Sequence, residues 1–184
     1  DGAIVVMEPS TGKILAMVSK PDFDPNTIEA NWDTIVADEN SESVLLNRAS
    51  QGLYPPGSTF KIFTTLEYIR ENPDTYQNYS YNCTGSIQKD NSKLSCFSGE
   101  VHGGVDLKRS FVKSCNTSFA NIGLTLDLKQ FSKTCEDLLF NDTLPVEKLE
   151  TSKSSFALNE NSSTSEIMET AIGQGKTVVT PLHM

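Results

Sequence analysis

An α+β domain, an antiparallel sheet with a helical subdomain, is predicted by three features of the chain. A β-hairpin signal opens it, helical periodicities dominate after residue 57, and no βαβ alternation or internal repeat occurs. Ala3–Met7 and Lys13–Ser19 are apolar, partly β-branched runs joined by the turn residues Pro9-Ser10-Thr11-Gly12, giving a hairpin over residues 3–19. Ile4, Val6, Ile14, Ala16 and Val18 alternate with Val5, Leu15 and Met17, so both strands read as buried on both faces. From Lys20 to Gly57 prolines and turn-forming Asp and Asn mark connecting surface, with a short helix around Trp32. Phe60, Ile62, Phe63, Leu66 and Ile69 place a mostly buried helix over 58–71, introduced by Pro55-Pro56-Gly57.

Residues 81–101 form a polar, Gly-containing excursion. Asp106 starts a helix whose Phe111 and Val112 are expected to face the core, and which breaks at Ser114-Cys115-Asn116 before resuming through Phe119, Ile122 and Leu126. Residues 127–140 read as helical, 141–164 as low in apolar content, and 165–172 as a last helix ending at Gly173. A two-stranded sheet alone is marginal in water, so further strands are expected to pair with the hairpin, from beyond Met184 or from another chain.

Composition narrows the function. The 184 residues are 37% hydrophobic and 21% charged, as in ordinary globular domains. A net charge of −9 repels a phosphate backbone, which excludes nucleic acid as an expected partner. No apolar run reaches the roughly 20 residues of a membrane span. Cys83, Cys96, Cys115 and Cys135 form no C-x-x-C pair, and the two histidines, His102 and His183, do not interleave with them in the pattern of a zinc site, so no metal or other cofactor is expected. Cys83 and Cys96 flank a hairpin-like stretch; a disulfide and two free buried thiols both remain open. Gly175-Lys176-Thr177 is not a phosphate loop, because Thr170 stands where the pattern needs Gly.

A serine three residues before a lysine on a helix places hydroxyl and amine on one face, where the amine can take the hydroxyl proton. Four such pairs occur: Ser10/Lys13, Ser58/Lys61, Ser86/Lys89 and Ser110/Lys113. Only Ser58 opens a strongly apolar helix, where the backbone N–H groups favour developing negative charge and burial lowers the lysine pKa. Ser114 and Asn116, in the break between helices, can project a hydroxyl and a carboxamide to one side.

Several segments together resemble the transpeptidase domain of penicillin-binding proteins. They are Gly2–Pro9 with Gly12–Met17, Lys20-Pro21, Asp24-Pro25-Asn26, Asn47-Arg48-Ala49, Tyr54-Pro55-Pro56-Gly57-Ser58-Thr59-Phe60-Lys61, His102-Gly103, Ser114-Cys115-Asn116-Thr117, Ile172-Gly173-Gln174-Gly175 and Thr180-Pro181-Leu182, in the family's order. The resemblance spans almost the whole chain and is nearer the class B members. It implies one incomplete transpeptidase domain over 1–184, with a helical subdomain near 72–172, in the penicillin-binding protein/β-lactamase-like fold. It further implies an active-site serine acyltransferase with Ser58 as nucleophile, Lys61 as its base and Ser114 with Asn116 as the second motif. The implied substrates are peptidoglycan stem peptides ending in D-Ala-D-Ala, with β-lactams as acylating inhibitors. A glycosyltransferase or other wall-synthesis protein is an implied partner, and an N-terminal helix is expected to anchor the protein on the outer face of the bacterial membrane.

The sequence departs from the family in one respect: no Lys-Thr-Gly or Lys-Ser-Gly third motif occurs, and Lys176-Thr177-Val178 belongs to the segment preceding it. The 184 residues alone are therefore expected to be a poor transpeptidase, because losing one oxyanion donor costs about 10²- to 10³-fold in turnover. Two other readings compete. One is a catalytically inactive scaffold of the same family. The other is a secreted glycoprotein, from the sequons at Asn78, Asn82, Asn116, Asn141 and Asn161, which a glycan inside the proposed site at Asn116 argues against.

Overall fold

The computed structural model describes residues 1–37 and 42–184; part of the expected connecting surface, residues 38–41, lies outside them. The chain falls into two compact units.

The first comprises Asp1–Tyr54, Thr143–Ser154 and Val179–Met184. Its hairpin pairs β1 (Gly2–Glu8) antiparallel with β2 (Lys13–Lys20), with a register shift between Val6 and Met7. The strands are not buried as the sequence led one to expect: Ile4 is 63% and Leu15 64% exposed. Ile4, Val6, Ala16 and Val18 share one face by register, and all four stand in solvent, because no third strand pairs with this sheet among the described residues. Helix α1 (Ile28–Ala37) surrounds Trp32 and buries none of its side chains. Buried Arg48 binds the carbonyls of Glu42 and Ser43, and Tyr54 and Val179 exchange two backbone hydrogen bonds.

The second unit comprises Pro55–Asp142 and Ser155–Val178. Helix α2 (Lys61–Glu71) is preceded by a 3-10 turn over Gly57–Phe60, so Ser58 lies on the turn and Lys61 at the start of the α-helix. The tighter winding follows the prolines, which supply no N–H to an α-helical first turn. Phe60 anchors the turn in an aromatic cluster, with ring centroids 5.2 Å from Phe63, 5.9 Å from Phe140 and 6.1 Å from Phe131 and Phe156.

The polar excursion contains three short strands, β3 (Ser80–Cys83), β4 (Ser86–Lys89) and β5 (Ser92–Ser95). β4 and β5 form a hairpin across Asp90-Asn91, and β3 pairs with β6 (Gly103–Asp106). Helix α3 (Leu107–Val112) is capped by Asp106, whose side chain accepts from the Arg109 N–H. Its core-facing side chains are Leu107 and the fully buried Ser110, whereas Phe111 and Val112 are 44% and 71% exposed; their expected orientation is thus reversed. Ser110 satisfies its hydroxyl on the Asp106 carbonyl and on Ser118 Oγ, so hydrogen bonding lets the polar residue take the inner position.

After the break, α4 (Asn116–Gly123) ends before Leu126, and α5 (Leu128–Asp137) stops short of Phe140. The last helix, α6 (Thr164–Ala171), starts on a reciprocal capping box between Ser163 and Glu166. Among the described residues no helix is long and apolar enough to cross a membrane.

Candidate active site

Two short backbone features, both in the second unit, aim the four candidate side chains at one another. Gly57 and Gly173 adopt φ of +58° and +76°, and the Gly57 N–H donates to the Gly173 carbonyl at 2.8 Å, fixing the turn that carries Ser58. A Cβ on Gly173 would stand 1.9 Å from the Gly57 carbonyl oxygen, so the contact admits only glycine there. Opposite, Ser114 takes φ +49° between α3 and α4, a left-handed conformation unfavourable for a non-glycine residue, and so turns its hydroxyl toward Ser58.

The result is a closed network. Lys61 Nζ lies 3.2 Å from Ser58 Oγ, 2.9 Å from Ser114 Oγ, 2.8 Å from the Ser114 carbonyl and 2.7 Å from Asn116 Oδ1. Ser114 Oγ is 2.9 Å from Ser58 Oγ, and the Asn116 amide donates to the Ser95 carbonyl at 3.2 Å. The Asn116 oxygen is thereby turned to the lysine. Ser58 is exposed while Lys61 is 1% exposed, with its amine 5.4 Å from the centre of the Phe119 ring.

Burial brings the Lys61 amine down to about 8, against a smaller upward pull from Cys115 and Cys96. A neutral amine presents a lone pair to the Ser58 hydroxyl while its N–H groups stay on the Ser114 carbonyl and Asn116. The Ser58 proton thus has two routes to the lysine: directly, or through Ser114. The four residues chosen from the sequence are brought together; the three rejected pairs are not comparable, since Lys13, Lys89 and Lys113 are all exposed.

Above Ser58 opens a cavity of about 460 Å³, lined by Ser58, Ser114, Asn116, Lys113, Glu100 and Gln174 among others. Sequence reasoning missed Lys113, Glu100 and Gln174 as lining groups, because they reach the cavity from three different segments. A larger apolar groove of about 650 Å³ between α2 and α3 holds no nucleophile paired with a base.

Comparison with known proteins agrees with this geometry. A family model described as the penicillin binding protein transpeptidase domain matches residues 2–184. The chain belongs to that family. It is 38% identical over 132 residues to the peptidoglycan D,D-transpeptidase PbpA of Mycobacterium tuberculosis, covering 67% of this chain and 27% of that protein. It is 30% identical over 201 residues to the peptidoglycan D,D-transpeptidase MrdA of Acinetobacter baumannii, covering 100% of this chain and 29% of that protein. Among solved structures, the ceftriaxone acyl-enzyme complex of penicillin-binding protein A from M. tuberculosis superimposes with a TM-score of 0.86 at 31% identity, over 99% of this chain and 42% of that one. A complex of a Helicobacter pylori penicillin-binding protein with MreC gives a TM-score of 0.85 at 26% identity, over 99% and 36%. The α+β transpeptidase fold expected from the sequence is thus the observed one. The chain spans between about a quarter and two-fifths of the length of these relatives.

Proposed function

We propose that this chain carries the acylating half of a peptidoglycan D,D-transpeptidase. The observation that carries the reading is the contact set around Lys61 Nζ: one buried, partly neutral amine in reach of the exposed Ser58 hydroxyl and of both second-motif side chains. Ser58 Oγ attacks the carbonyl of the penultimate D-Ala of a stem peptide as its proton passes to Lys61. The bond to the terminal D-Ala breaks, the departing amine takes up the proton through Lys61 and Ser114, and an ester on Ser58 remains. The amine of a second stem peptide then displaces Ser58 and forms the cross-link. A β-lactam enters the same first step, but its departing amine stays tethered and the ester persists.

Such a substrate exists only outside the cytoplasmic membrane, so the whole protein works on that face, held by an N-terminal helix and cooperating with a glycosyltransferase. The PbpA and MrdA relatives and the M. tuberculosis acyl-enzyme complex support the activity, and the H. pylori complex with MreC supports wall-synthesis partners. No observation favours the inactive scaffold, which has no use for an exposed serine against a buried amine. The test is D-Ala release and product formation by the full-length protein from a stem peptide plus an acceptor amine. Wild-type turnover with none in Ser58→Ala supports the reading; equal release by both proteins overturns it.

A further inference from the structure

Behind the Ser114–Asn116 turn lies a cluster that the acyl-transfer chemistry does not use. Cys83 closes β3, Cys96 follows β5, His102 precedes β6 and Cys115 sits between Ser114 and Asn116. Three Sγ atoms and one imidazole nitrogen from these residues all lie within 4.8 Å of one another. Cys83 Sγ is 3.7 Å from Cys96 Sγ, which is 3.8 Å from Cys115 Sγ. His102 Nδ1 is 3.4 Å from Cys83 Sγ and 3.6 Å from Cys96 Sγ.

These edges have a chemical meaning. A disulfide joins its sulfurs at about 2.05 Å, and all four cysteines are free. Two thiolates each about 2.3 Å from one tetrahedral ion stand about 3.8 Å apart, and a thiolate and an imidazole nitrogen on that ion about 3.6 Å apart. Four of the six separations have the lengths of such a tetrahedron, and the other two are within 4.8 Å.

The surroundings fit as well. The His102 side chain is 4% exposed, with Nδ1 toward the sulfurs and Nε2 3.5 Å from a Glu100 carboxylate oxygen, the outer partner that orients ligating histidines. Thr117 Oγ1 lies 3.2 Å from Cys83 Sγ, 3.4 Å from Cys115 Sγ and 3.6 Å from Cys96 Sγ, where its proton can serve a thiolate. Cys83, Cys96 and Cys115 are buried together, with Tyr81 packed against them.

We propose that Cys83, Cys96, His102 and Cys115 bind one zinc ion that pins the second-motif turn. Three thiolates and an imidazole in a closed tetrahedron select zinc over the oxygen-preferring divalent cations, and four protein ligands leave no open position for catalysis. Binding expels the protons still on the thiols and leaves a site of net charge −1. The ion ties the ends of β3 and β5, the start of β6 and the residue between Ser114 and Asn116. It thereby holds Ser114 in its left-handed conformation and Asn116 against Lys61. The zinc site stands on its own geometry; its effect on acylation rests on the transpeptidase reading.

The test is metal analysis of the full-length protein purified without chelator. About one zinc per chain is expected, with X-ray absorption giving a shell of three sulfurs and one nitrogen, and cobalt(II) exchanged into the stripped protein giving tetrahedral thiolate charge-transfer bands. Cys96→Ser and His102→Ala lose the zinc, His102→Cys retains it as a four-thiolate site, and Cys135→Ala, a buried cysteine outside the cluster, also retains it. Folded protein without bound metal, a Cys83–Cys96 disulfide in native protein, or full zinc in Cys96→Ser overturns the proposal. Zinc content is read independently of acylation. A zinc-loaded protein inert to penicillin would therefore overturn the transpeptidase reading alone, whereas a metal-free protein with normal acylation would overturn the zinc site alone.

Discussion

A lysine enclosed by Ser58, Ser114, Asn116 and the Phe119 ring has little water to solvate its charge, which is why its amine falls to about 8. Acylation that uses the neutral amine should therefore accelerate as pH rises and level off above about 8, measured as second-order rate constants with a fluorescent penicillin on the full-length protein. Lys61→Arg keeps the charge but cannot give up its proton, so acylation should fall about 10²- to 10⁴-fold and lose that pH dependence while the melting transition persists. An unchanged rate would move the base to Ser114. The depressed amine also links pH to stability. The unfolded lysine holds its proton up to about 10.4, so the cost of burying the cation is full below about 8 and is relieved as pH rises between the two values. At this scale Ser58 and Lys61 were legible because the spacing is local and the flanking helix strongly apolar. Spacing alone could not choose among the four Ser/Lys pairs; burial does, and it depends on which face of α3 turns inward.

The elements that carry these residues depend on a few backbone contacts. Gly173 approaches Gly57 so closely that Gly173→Ala must displace the Ser58 turn; a lower melting temperature and slower acylation are expected together. Ser163→Ala removes one side of the capping box of α6 and should cost about 1 kcal/mol in denaturant unfolding with the acylation rate unchanged. The hairpin and the longer helices were readable because period-2 and period-3.6 patterns repeat within each. The turn residues between Cys83 and Cys96 marked the β4–β5 hairpin, but β3 and β6 were not legible, being four residues each with too few positions for a period. The thiol–imidazole cluster escaped for a related reason. Its ligands come from four separate segments, which the β3–β6 pairing, the β4–β5 hairpin and the turn between α3 and α4 bring to one point.

For the whole molecule, the apolar pattern of the hairpin was read correctly and its burial was not, because alternation shows what a strand can bury and not what covers it. Ile4, Val6 and Val18 present one exposed apolar face. The 184 residues tested alone should bind hydrophobic dyes and associate with rising concentration by light scattering, and Ile4→Thr with Val18→Thr should reduce both. The same 184 residues unite the hairpin and the helical unit in one family-wide match, and the assembled chemistry lies in the second unit. The most direct test of that chemistry is intact and peptide mass spectrometry of the full-length protein after exposure to penicillin G. The mass of one opened β-lactam on the peptide containing Ser58, absent from Ser58→Ala and strongly diminished in Lys61→Arg, is the predicted result. No adduct on a folded protein, or an adduct on another residue that survives Ser58→Ala, would contradict the assignment of Ser58 as the nucleophile.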